Sequence, residues 1–252
     1  MFPEERRSAI ISSLAAEGRV QVTALAQQLE VSEVTVRQDL AYLEERGLLK
    51  RTHGGAIPVE TGFELPFART AGANAEEKAR IAAAAAALVR EGETILIDVG
   101  TTTTAVARAL IGHRRLTVVT NALNIAALLE EAPGVTVIVT GGSLRAAQHS
   151  LVNPLGMEIL NHVRADRAFL GASGVEARAG VTNANFPEAE IKRAMMAAAR
   201  EKIVVVDSSK IGRVATAVIG PVTAFDRLIT AKGAAEEDLD ALRAKGLATQ
   251  VV

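Results

Sequence analysis

The segment "DVGTTTTA", residues 98–105, places a carboxylate, a glycine and four threonines directly after the apolar run "TILI". The run is typical of a strand, and the threonines can begin a helix. Backbone N–H groups at a helix N-terminus attract anions, and phosphate suits this arrangement best. A helix whose threonines serve only as caps is the alternative. The predicted anion site comprises Asp98, Gly100, Thr101, Thr102, Thr103 and Thr104.

Three further apolar runs also end in small or polar residues, in "VVTNALNIA", "VIVTGGSLR" and "VVVDSSKIG". Ligands of open α/β sheets bind beyond the carboxyl ends of the strands, so we predict that these ends share one crevice. Basic side chains there could neutralise a phosphate, and carboxylates or amides could bond sugar hydroxyls. The additional predicted contacts are Asn121, Gly141, Gly142, Arg145, Asp207 and Lys210.

Apolar runs alternate with helical patterns from residue 76 onward. The predicted strands are "TILIDV", "LTVVT", "VTVIVT", "RAFLG", "KIVVV", "RLIT" and "LATQVV", and the predicted helices lie near 76–91, 103–111, 122–131, 154–162, 187–200 and 235–245. Runs that are apolar on both faces and separated by helices indicate a mostly parallel sheet covered on both sides. This part of the chain is therefore predicted to be an α/β domain.

Residues 1–57 have a different pattern, which predicts three short helices and a hairpin. Gly18 is expected to end the first helix, Thr23 to cap the second, Ser32 to cap the third and Gly47 to end it. The segment "LLKRTHGGAI" then has an apolar start, a basic middle and a glycine pair, which suits a small hairpin.

The third helix, "EVTVRQDLAYLEERG", has an apolar back and a polar front that could enter the major groove of DNA. An arginine there can bond guanine, a glutamine can bond adenine, and a threonine methyl can touch thymine. Basic residues on the hairpin can meet phosphates or the minor groove. The predicted DNA contacts are Thr35, Arg37, Gln38 and Tyr42 on the helix, and Lys50, Arg51 and His53 on the hairpin. Asp39 is expected to be a buried cap or to pair with Arg51.

Residues 31–56, "VSEVTVRQDLAYLEERGLLKRTHGGA", closely resemble the winged helix-turn-helix of DeoR-family bacterial transcription regulators. The pieces "DVGTTTTAVA", "VVTNALNIA", "TGGSLR", "DRAFLGASGV", "EAEIKRAM" and "VDSSKIG" resemble the effector domain of the same family. The chain departs from the family at Gln38, where a second arginine is usual, and at Asn153, where a glycine is common.

The resemblance implies a C-terminal domain with a fold like ribose-5-phosphate isomerase that binds a phosphorylated sugar or related metabolite. It also implies a repressor, usually oligomeric, that releases operator DNA when the effector binds. Isomerases of that fold share an Asp-Gly-Ala-Asp segment, whereas the corresponding "LGASG" (170–174) has no carboxylate. The site is therefore predicted to sense its ligand and not to convert it.

Other chemistries have no support in the sequence. It has no Walker loop and no Gly-x-Ser-x-Gly elbow, and His53, His113, His149 and His162 lack metal-ligand spacing. No catalytic residue, metal or cofactor is expected. Two rivals remain open: a sugar-phosphate isomerase with an accessory DNA-binding segment, and a DNA-binding protein whose large domain only assembles.

Composition sets the remaining expectations. The 252 residues carry 28 basic and 29 acidic side chains and no cysteine, so the total charge indicates neither an anionic membrane nor nucleic acid. The N-terminus lacks an apolar signal core, and a cytoplasmic location is expected. We predict a DNA-binding domain at 1–57, a linker at 58–75, and a sensing and oligomerisation domain at 76–252. The expected partners are double-stranded operator DNA, a phosphorylated sugar and further copies of the chain, as a dimer or tetramer, with no membrane.

Overall fold

The computed structural model describes residues 2–17, 19–46, 48–57, 67, 72–152 and 155–252. The chain forms two compact units, Met1–Ala73 and Asn74–Val252. Gly18, Gly47, Asn153 and most of the predicted linker lie outside the described residues.

The N-terminal unit contains three helices and a small antiparallel sheet. Its elements are α1 (Pro3–Glu17), β1 (Val20–Gln21), α2 (Val22–Gln28), α3 (Glu33–Glu45), β2 (Lys50–Thr52) and β3 (Gly55–Ile57). The strands pair in the order β1-β3-β2. One apolar cluster joins the helices to the sheet, with Ile10, Ile11 and Leu14 from α1, Leu25 from α2, and Val36, Leu40 and Leu43 from α3. This arrangement confirms the predicted winged helix-turn-helix.

Local contacts explain where these elements begin. The Ser32 side chain accepts a hydrogen bond from the Thr35 backbone N–H at 3.1 Å, so the predicted cap of α3 is confirmed. The predicted cap of α2 at Thr23 is wrong, because β1 runs directly into α2 and Gln21 is the N-cap without a side-chain bond. Gly55 is required where β3 pairs with β1, since a Cβ there would lie 1.8 Å from the Val20 carbonyl oxygen.

A buried carboxylate clamps α1 to α3. The Asp39 side chain is 2% exposed, and its two oxygens accept from Arg6 Nε at 2.5 Å and from Arg7 Nε at 2.8 Å. The expected pairing of Asp39 with Arg51 is therefore wrong. The Arg51 backbone N–H instead donates to Glu44 Oε1 at 2.8 Å, which fixes the start of the hairpin against α3.

Replacement of Asp39 by Asn should destabilise the N-terminal unit by about 2–3 kcal/mol, because two guanidinium groups lose their charge-assisted acceptor. Tyr42 is the only tyrosine of a chain without tryptophan, so its fluorescence reports this unit during urea unfolding. Glu33→Gln, which breaks an exposed ion pair of α3, is the control and should cost less than about 0.5 kcal/mol. Equal losses of unfolding free energy in the two variants would contradict a stabilising role for the contacts of Asp39 with Arg6 and Arg7.

The C-terminal unit is built on a seven-stranded sheet whose neighbouring strands are all parallel. Its strands are β4 (Thr94–Ile97), β5 (Leu116–Thr120), β6 (Val135–Val139), β9 (Ala165–Leu170), β12 (Ala199–Val205), β14 (Arg227–Thr230) and β15 (Ala248–Val251). Its helices are α4 (Ala75–Ala86), α5 (Thr101–Ala109), α6 (Leu123–Glu130), α7 (Leu155–Asn161), α8 (Phe186–Ala198) and α9 (Glu236–Ala244). All seven predicted strands are present, and the predicted parallel α/β domain is confirmed.

The strands lie side by side in the order β15-β14-β12-β9-β4-β5-β6. The side on which the chain adds successive strands changes between β4 and β9, although all the strands are parallel. From β4 the chain moves outward to β5 and β6, and it then returns to build β9, β12, β14 and β15 on the other side. Such a reversal opens a crevice beyond the carboxyl ends of the two central strands. The crevice of this fold therefore lies beyond the ends of β4 and β9.

The two faces of the sheet are covered by different helices. Ile81 of α4, Val106 of α5 and Ile125 of α6 share one core, and Ile191 of α8 and Leu239 of α9 belong to the other. Right-handed crossovers place α5 and α6 over one half of the sheet and α8 and α9 over the opposite face of the other half. The remaining part of the first face is covered by α4, which contacts both α5 and β14.

Five short strands in the described part of the C-terminal unit were not predicted. They form an antiparallel pair, β7 (Ser143–Arg145) with β8 (Ser150–Val152), and a three-stranded sheet of β10 (Gly174–Glu176), β11 (Gly180–Asn183) and β13 (Ala217–Gly220). Helix α4 also ends at Ala86 and not near residue 91, and α8 ends at Ala198 because β12 begins at the next residue.

Ion pairs link the amino ends of the central strands. Arg167 of β9 contacts Glu93, immediately before β4, at 3.0 Å, and it also pairs with Glu201 of β12. Glu201 lies 3.6 Å from Arg227 of β14, so one chain of alternating charges crosses four strands. The charges at this edge are largely mutually compensated.

Candidate functional site

Asp98 follows β4 and lies at the point where the strand order reverses. The residue is fully buried, and its Oδ2 accepts from Lys192 Nζ and, at 3.2 Å, from the Gly171 N–H at the end of β9. Its Oδ1 has no hydrogen-bond partner among the described residues. Burial raises the pKa of Asp98 to about 6, although the charge of Lys192 opposes this shift. One oxygen of this carboxylate is therefore left for a hydrogen-bond donor.

The first turn of α5 begins next to this carboxylate. Gly100 has φ of 145°, and the hydroxyls of Thr103 and Thr104 donate to its carbonyl at 3.0 and 2.7 Å. These hydroxyls bond a carbonyl and leave the N–H groups of the first turn free, and the helix has no side-chain cap bond among the described residues, so the threonines do not act as the caps that the alternative interpretation expected. The first intrahelical bond runs from the Thr104 N–H to Gly100, so the N–H groups of Thr101, Thr102 and Thr103 precede it. Those N–H groups can bind an anion.

Residues that follow the neighbouring strands β5 and β6 fix the local backbone through hydrogen bonds and close packing. Asn121 is fully buried, its Oδ1 accepts from the Val99 N–H at 3.2 Å, and its backbone carbonyl accepts from Leu151 at 2.7 Å. Gly142 has φ of 112°, and a Cβ there would lie 2.5 Å from the Val152 carbonyl oxygen. Gly141 is also left-handed, with φ of 76°. Asn121, Gly141 and Gly142 therefore shape the rim of the crevice through backbone geometry.

Helix α8 brings two charged residues that the sequence interpretation missed, Glu188 and Lys192. Both are about 2% exposed. Glu188 pairs with Arg145, and it also accepts from Ser150 Oγ at 2.7 Å. Burial works to raise the pKa of Glu188, but Lys192, Ser150 and Arg145 together hold it below its ordinary value.

Arg145 pairs with Glu188, Lys192 pairs with Asp98, and the charge of Lys192 also acts on Glu188 one turn earlier on the same helix, so the four charges form one electrostatic network. The available signal was the spacing of Glu188 and Lys192 in "EAEIKRAM", where both share the inward face of α8 with Ile191 and Met195. An i,i+4 ion pair normally marks a solvent-exposed face. Glu188 and Lys192 share a helix face with apolar residues, and this pattern could have identified both charged residues as buried.

A second polar cluster lies at the end of β12. Asp207 Oδ1 accepts from Ser209 and, at 3.1 Å, from Asn74 Nδ2 at the start of α4. Burial raises the Asp207 pKa, but Lys210, Ser209, Lys78 and Asn74 hold it below its ordinary value.

Two lysines meet in this cluster. Burial lowers the pKa of both Lys78 and Lys210, and the negative charge of Asp207 partly compensates each. Each lysine also lies close enough to another cation to lower its pKa further: Lys210 acts on Lys78, and Arg213 acts on Lys210. Lys78 was not predicted, although it shares the inward face of α4 with Ile81 and Ala82.

The two clusters lie at the same edge of the sheet. Helices α4 and α5 both begin at the carboxyl ends of strands and pack against each other. Only β9 separates β4 from β12, so the strand ends lie two strand spacings apart, roughly 10 Å. This separation is comparable to the length of an open-chain sugar phosphate.

In the N-terminal unit, α3 presents Arg37 and Gln38 to solvent. Arg37 forms an i,i+4 pair with Glu33 at 2.6 Å. The Thr35 hydroxyl lies 2.9 Å from that of Ser32, and Thr35 is half-buried. The hydroxyl of Thr35 is thus occupied by the helix cap, whereas Arg37 and Gln38 have accessible side chains.

Tyr42 lies on a flank of α3. Its ring is sandwiched between two guanidinium groups, at 3.5 Å from Arg7 and 3.6 Å from Arg46. Because both ring faces are covered, a DNA contact by Tyr42 would be made by its hydroxyl. On the hairpin, Lys50, Arg51 and His53 are exposed, and His53 and Gly54 form its two-residue turn.

Among the described residues, no group of three or more His, Asp or Glu side chains is arranged to hold a metal ion. None of the described helices has the length and apolar character needed to cross a membrane.

Comparison with known families identifies both units. Residues 6–61 match the DeoR-like helix-turn-helix domain, and residues 73–232 match the DeoR C terminal sensor domain. The chain belongs to the DeoR family of transcriptional regulators. This DeoR-family chain is 37% identical to the HTH-type transcriptional regulator GolR of Listeria innocua, with 91% of each chain covered. It is 34% identical to the glycerol-3-phosphate regulon repressor of Escherichia coli K12, again over 91% of each.

Among solved structures, this DeoR-family chain is similar to ribose 5-phosphate isomerase A from Methanocaldococcus jannaschii, with a TM-score of 0.42 and 20% identity over 54% of each chain. The fold assignment comes from the strand order and the family match and not from this likeness. The relatives described above are regulators and not enzymes, so the expectation that the chain is not an enzyme is supported and the isomerase alternative is not.

Asp98→Asn should remove a pH dependence from the stability of this DeoR-family regulator. Because the folded-state pKa of Asp98 is raised from 3.8 to about 6, its contribution is fully present below pH 4 and is lost as pH rises through 6. Between those values the unfolding free energy of the wild type should fall by about 2–3 kcal/mol relative to the Asn variant. Denaturant titrations followed by circular dichroism at several pH values measure this difference.

Lys192→Met is the matched control for that experiment. Lys192 lowers the pKa of Asp98, whereas burial and the charge of Glu188 both raise it. Without Lys192 the pKa of Asp98 should rise further. The pH window should therefore move upward. Identical pH profiles in the wild type and Asp98→Asn would contradict the assignment.

Proposed function

We propose that this regulator is a repressor that binds operator DNA through α3 and the hairpin, and that a phosphorylated sugar or related metabolite releases it. Relatives named for the glycerol-3-phosphate regulon support an effector that carries a phosphate. The proposed effector contacts are Asp98, Gly100, Thr101 to Thr104, Asn121, Gly141, Gly142, Arg145, Asp207 and Lys210, to which the geometry adds Lys78, Glu188 and Lys192.

The observation that carries the sensing role is the unpartnered oxygen of Asp98 beside the first turn of α5. A buried acceptor without a donor is costly, and a sugar hydroxyl would satisfy it. The N–H groups of Thr101, Thr102 and Thr103 would bind the phosphate at the positive end of the helix. One ligand with a phosphate and a hydroxyl matches both features.

The second cluster supports the same ligand class. The lowered pKa values of Lys78 and Lys210 mean that their charged forms are under-stabilised without a ligand. A phosphate dianion near them would favour the charged forms and raise both pKa values. Because α4 packs against α5, these lysines and the α5 N-terminus can act on one phosphorylated molecule.

Sensing, rather than conversion, fits the state of the carboxylates. Asp98 is paired with Lys192, Glu188 with Arg145, and Asp207 is bonded to Ser209 and Asn74. A general base needs a carboxylate positioned to take a proton from carbon. The segment 170–174, at the end of β9, supplies no carboxylate to the crevice.

We further propose that the regulator acts as a dimer or tetramer. Two winged units that bind successive half-sites must lie about 34 Å apart, or a multiple of that distance. An effector can change this spacing only if it binds one arrangement more tightly than the other. The C-terminal unit is the proposed oligomerisation domain.

A thermal-shift panel of glycerol, pentose and hexose phosphates tests the effector class. A ligand present at 100 times its Kd should stabilise the protein by about 2.7 kcal/mol. The corresponding unphosphorylated sugars are the controls and should have no effect. A flat response to every phosphate would remove the sensing role, and turnover of any of them would restore the isomerase alternative.

Two substitutions should separate the functions of the two units. Arg37→Ala should reduce the free-energy preference for operator over random DNA by about 1–3 kcal/mol, while effector binding is unchanged. Lys210→Ala should leave operator binding intact and shift the effector dose-response to higher concentration. Gel-shift titrations with and without the best-bound sugar phosphate measure both.

Exposed residues of matched type provide the controls. Arg108→Ala and Lys245→Ala, both in the C-terminal unit, should behave as the wild type in each titration. A sequence preference in Arg37→Ala equal to that of the wild type would exclude Arg37 from base recognition. An unchanged effector response in Lys210→Ala would exclude Lys210 from the effector site.

A further inference from the structure

Helix α3 carries an exposed apolar side chain on the face that was predicted to be polar. Val34, the second residue of the helix, is 61% exposed and does not belong to the apolar cluster of its unit. The buried face of α3 is formed by Val36, Asp39, Leu40 and Leu43, and Val34 points away from it. Val34 therefore makes no identified contribution to the core.

The position of Val34 aligns it with the predicted DNA-reading residues. Residues at i, i+3, i+4 and i+7 share one face of a helix, so Val34, Arg37, Gln38 and Ala41 form a single stripe. Ala41 is small and half-buried, which leaves this stripe open for a close approach. The chemistry along the stripe is an apolar group, followed by a guanidinium and an amide.

Charge determines which end of the stripe approaches DNA. Glu44 and Glu45 at the C-terminal end of α3 are exposed and would be repelled by phosphates. The N-terminal end carries the positive end of the helix dipole and has Val34 in its first turn. Recognition helices of this class contact base edges with their N-terminal residues.

Helix propensity gives no reason for a valine at this exposed position. A β-branched side chain loses χ1 freedom in a helix, and alanine, glutamate or lysine would favour the helix more. A single exposed apolar residue is ordinary on a protein surface. On a surface that is buried by a ligand, however, its methyl groups require an apolar partner.

We propose that Val34 reads the C5-methyl group of a thymine in the major groove, next to the bases that Arg37 and Gln38 contact. The thymine methyl is the apolar group that distinguishes T·A in that groove. Thr35, whose methyl group was predicted to make this contact, is half-buried and lies on the flank of the stripe. The structure thus assigns the thymine contact to Val34.

The test starts from duplexes that the wild-type full chain selects out of a random library. Each thymine of the selected half-site is then replaced in turn by deoxyuridine, which removes only the methyl group. At one thymine per half-site the replacement should weaken wild-type binding about fourfold, the effect of one buried CH2 group. At the same position it should have no effect on Val34→Ala.

The comparison between the proteins isolates the contact. Any effect of deoxyuridine on DNA shape is common to both proteins and cancels in the double-mutant cycle. Val34→Thr, which keeps one methyl group in a side chain of similar shape, should retain part of the sensitivity. Val214→Ala removes a valine of equal exposure, 61%, from the C-terminal unit and should behave as the wild type.

Loss of folding cannot mimic the expected result. Val34 is exposed, so Val34→Ala should change the unfolding free energy by less than about 0.5 kcal/mol, as monitored by Tyr42 fluorescence. Equal deoxyuridine sensitivity of wild type and Val34→Ala at every thymine would overturn the assignment, as would a wild type insensitive at all of them. The assignment rests on the proposed binding of operator DNA by α3, and failure of the wild type to select any duplex would refute that function before Val34 is tested. The test needs no effector, so it is independent of the proposed sensing role.

Discussion

The C-terminal unit depends on one buried ion pair, between Lys192 of α8 and Asp98 at the end of β4. Removing two charges from water costs several kcal/mol per ion, and their attraction recovers this cost only with good geometry and further hydrogen bonds. Asp98 receives one such bond from Gly171, but its second oxygen has no partner in the described chain. The site is thus incompletely satisfied at the point where the strand order makes room for a ligand.

The same pair organises the elements around it. Asp98 directly follows β4, Gly171 directly follows β9, and Lys192 lies on α8. The carboxylate therefore joins the two central strands to a helix that covers the sheet on the face away from α4, α5 and α6. Glu188, one turn earlier on α8, extends the chain of charges to Arg145 and to the β7–β8 pair. A ligand that bonds Asp98 therefore acts on a network and not on one side chain.

The regular part of the fold could be predicted from the sequence for a simple reason. Parallel strands buried on both faces are continuous apolar runs, and each of the seven is followed or preceded by helical periodicity. The short strands β7, β8, β10, β11 and β13 have three or four residues each, and such segments pair only because the large sheet brings them together. The predicted cap at Thr23 failed for a related reason, since β1 continues into α2 without a turn.

The candidate site shows where sequence patterns stop being informative. Strand-end residues such as Asp98 and Lys210 could be identified because parallel strands end at one edge. Lys78, Glu188 and Lys192 were missed because charged residues on helices are usually solvated, and only burial against the sheet reveals their role. Val34 was missed because the outward face of α3 was described by its polar residues alone.

The second cluster joins the loop after β12 to the start of the C-terminal unit. Asn74 begins the C-terminal unit in a left-handed conformation, with φ of 52°, and donates to Asp207. Three residues later, Glu77 accepts from the Ser208 backbone at 2.9 Å. The first turn of α4 is thus bonded to the same loop that carries Lys210. Asn74 is the first residue of the C-terminal unit, so a ligand that moved this loop would act on the element with which that unit begins.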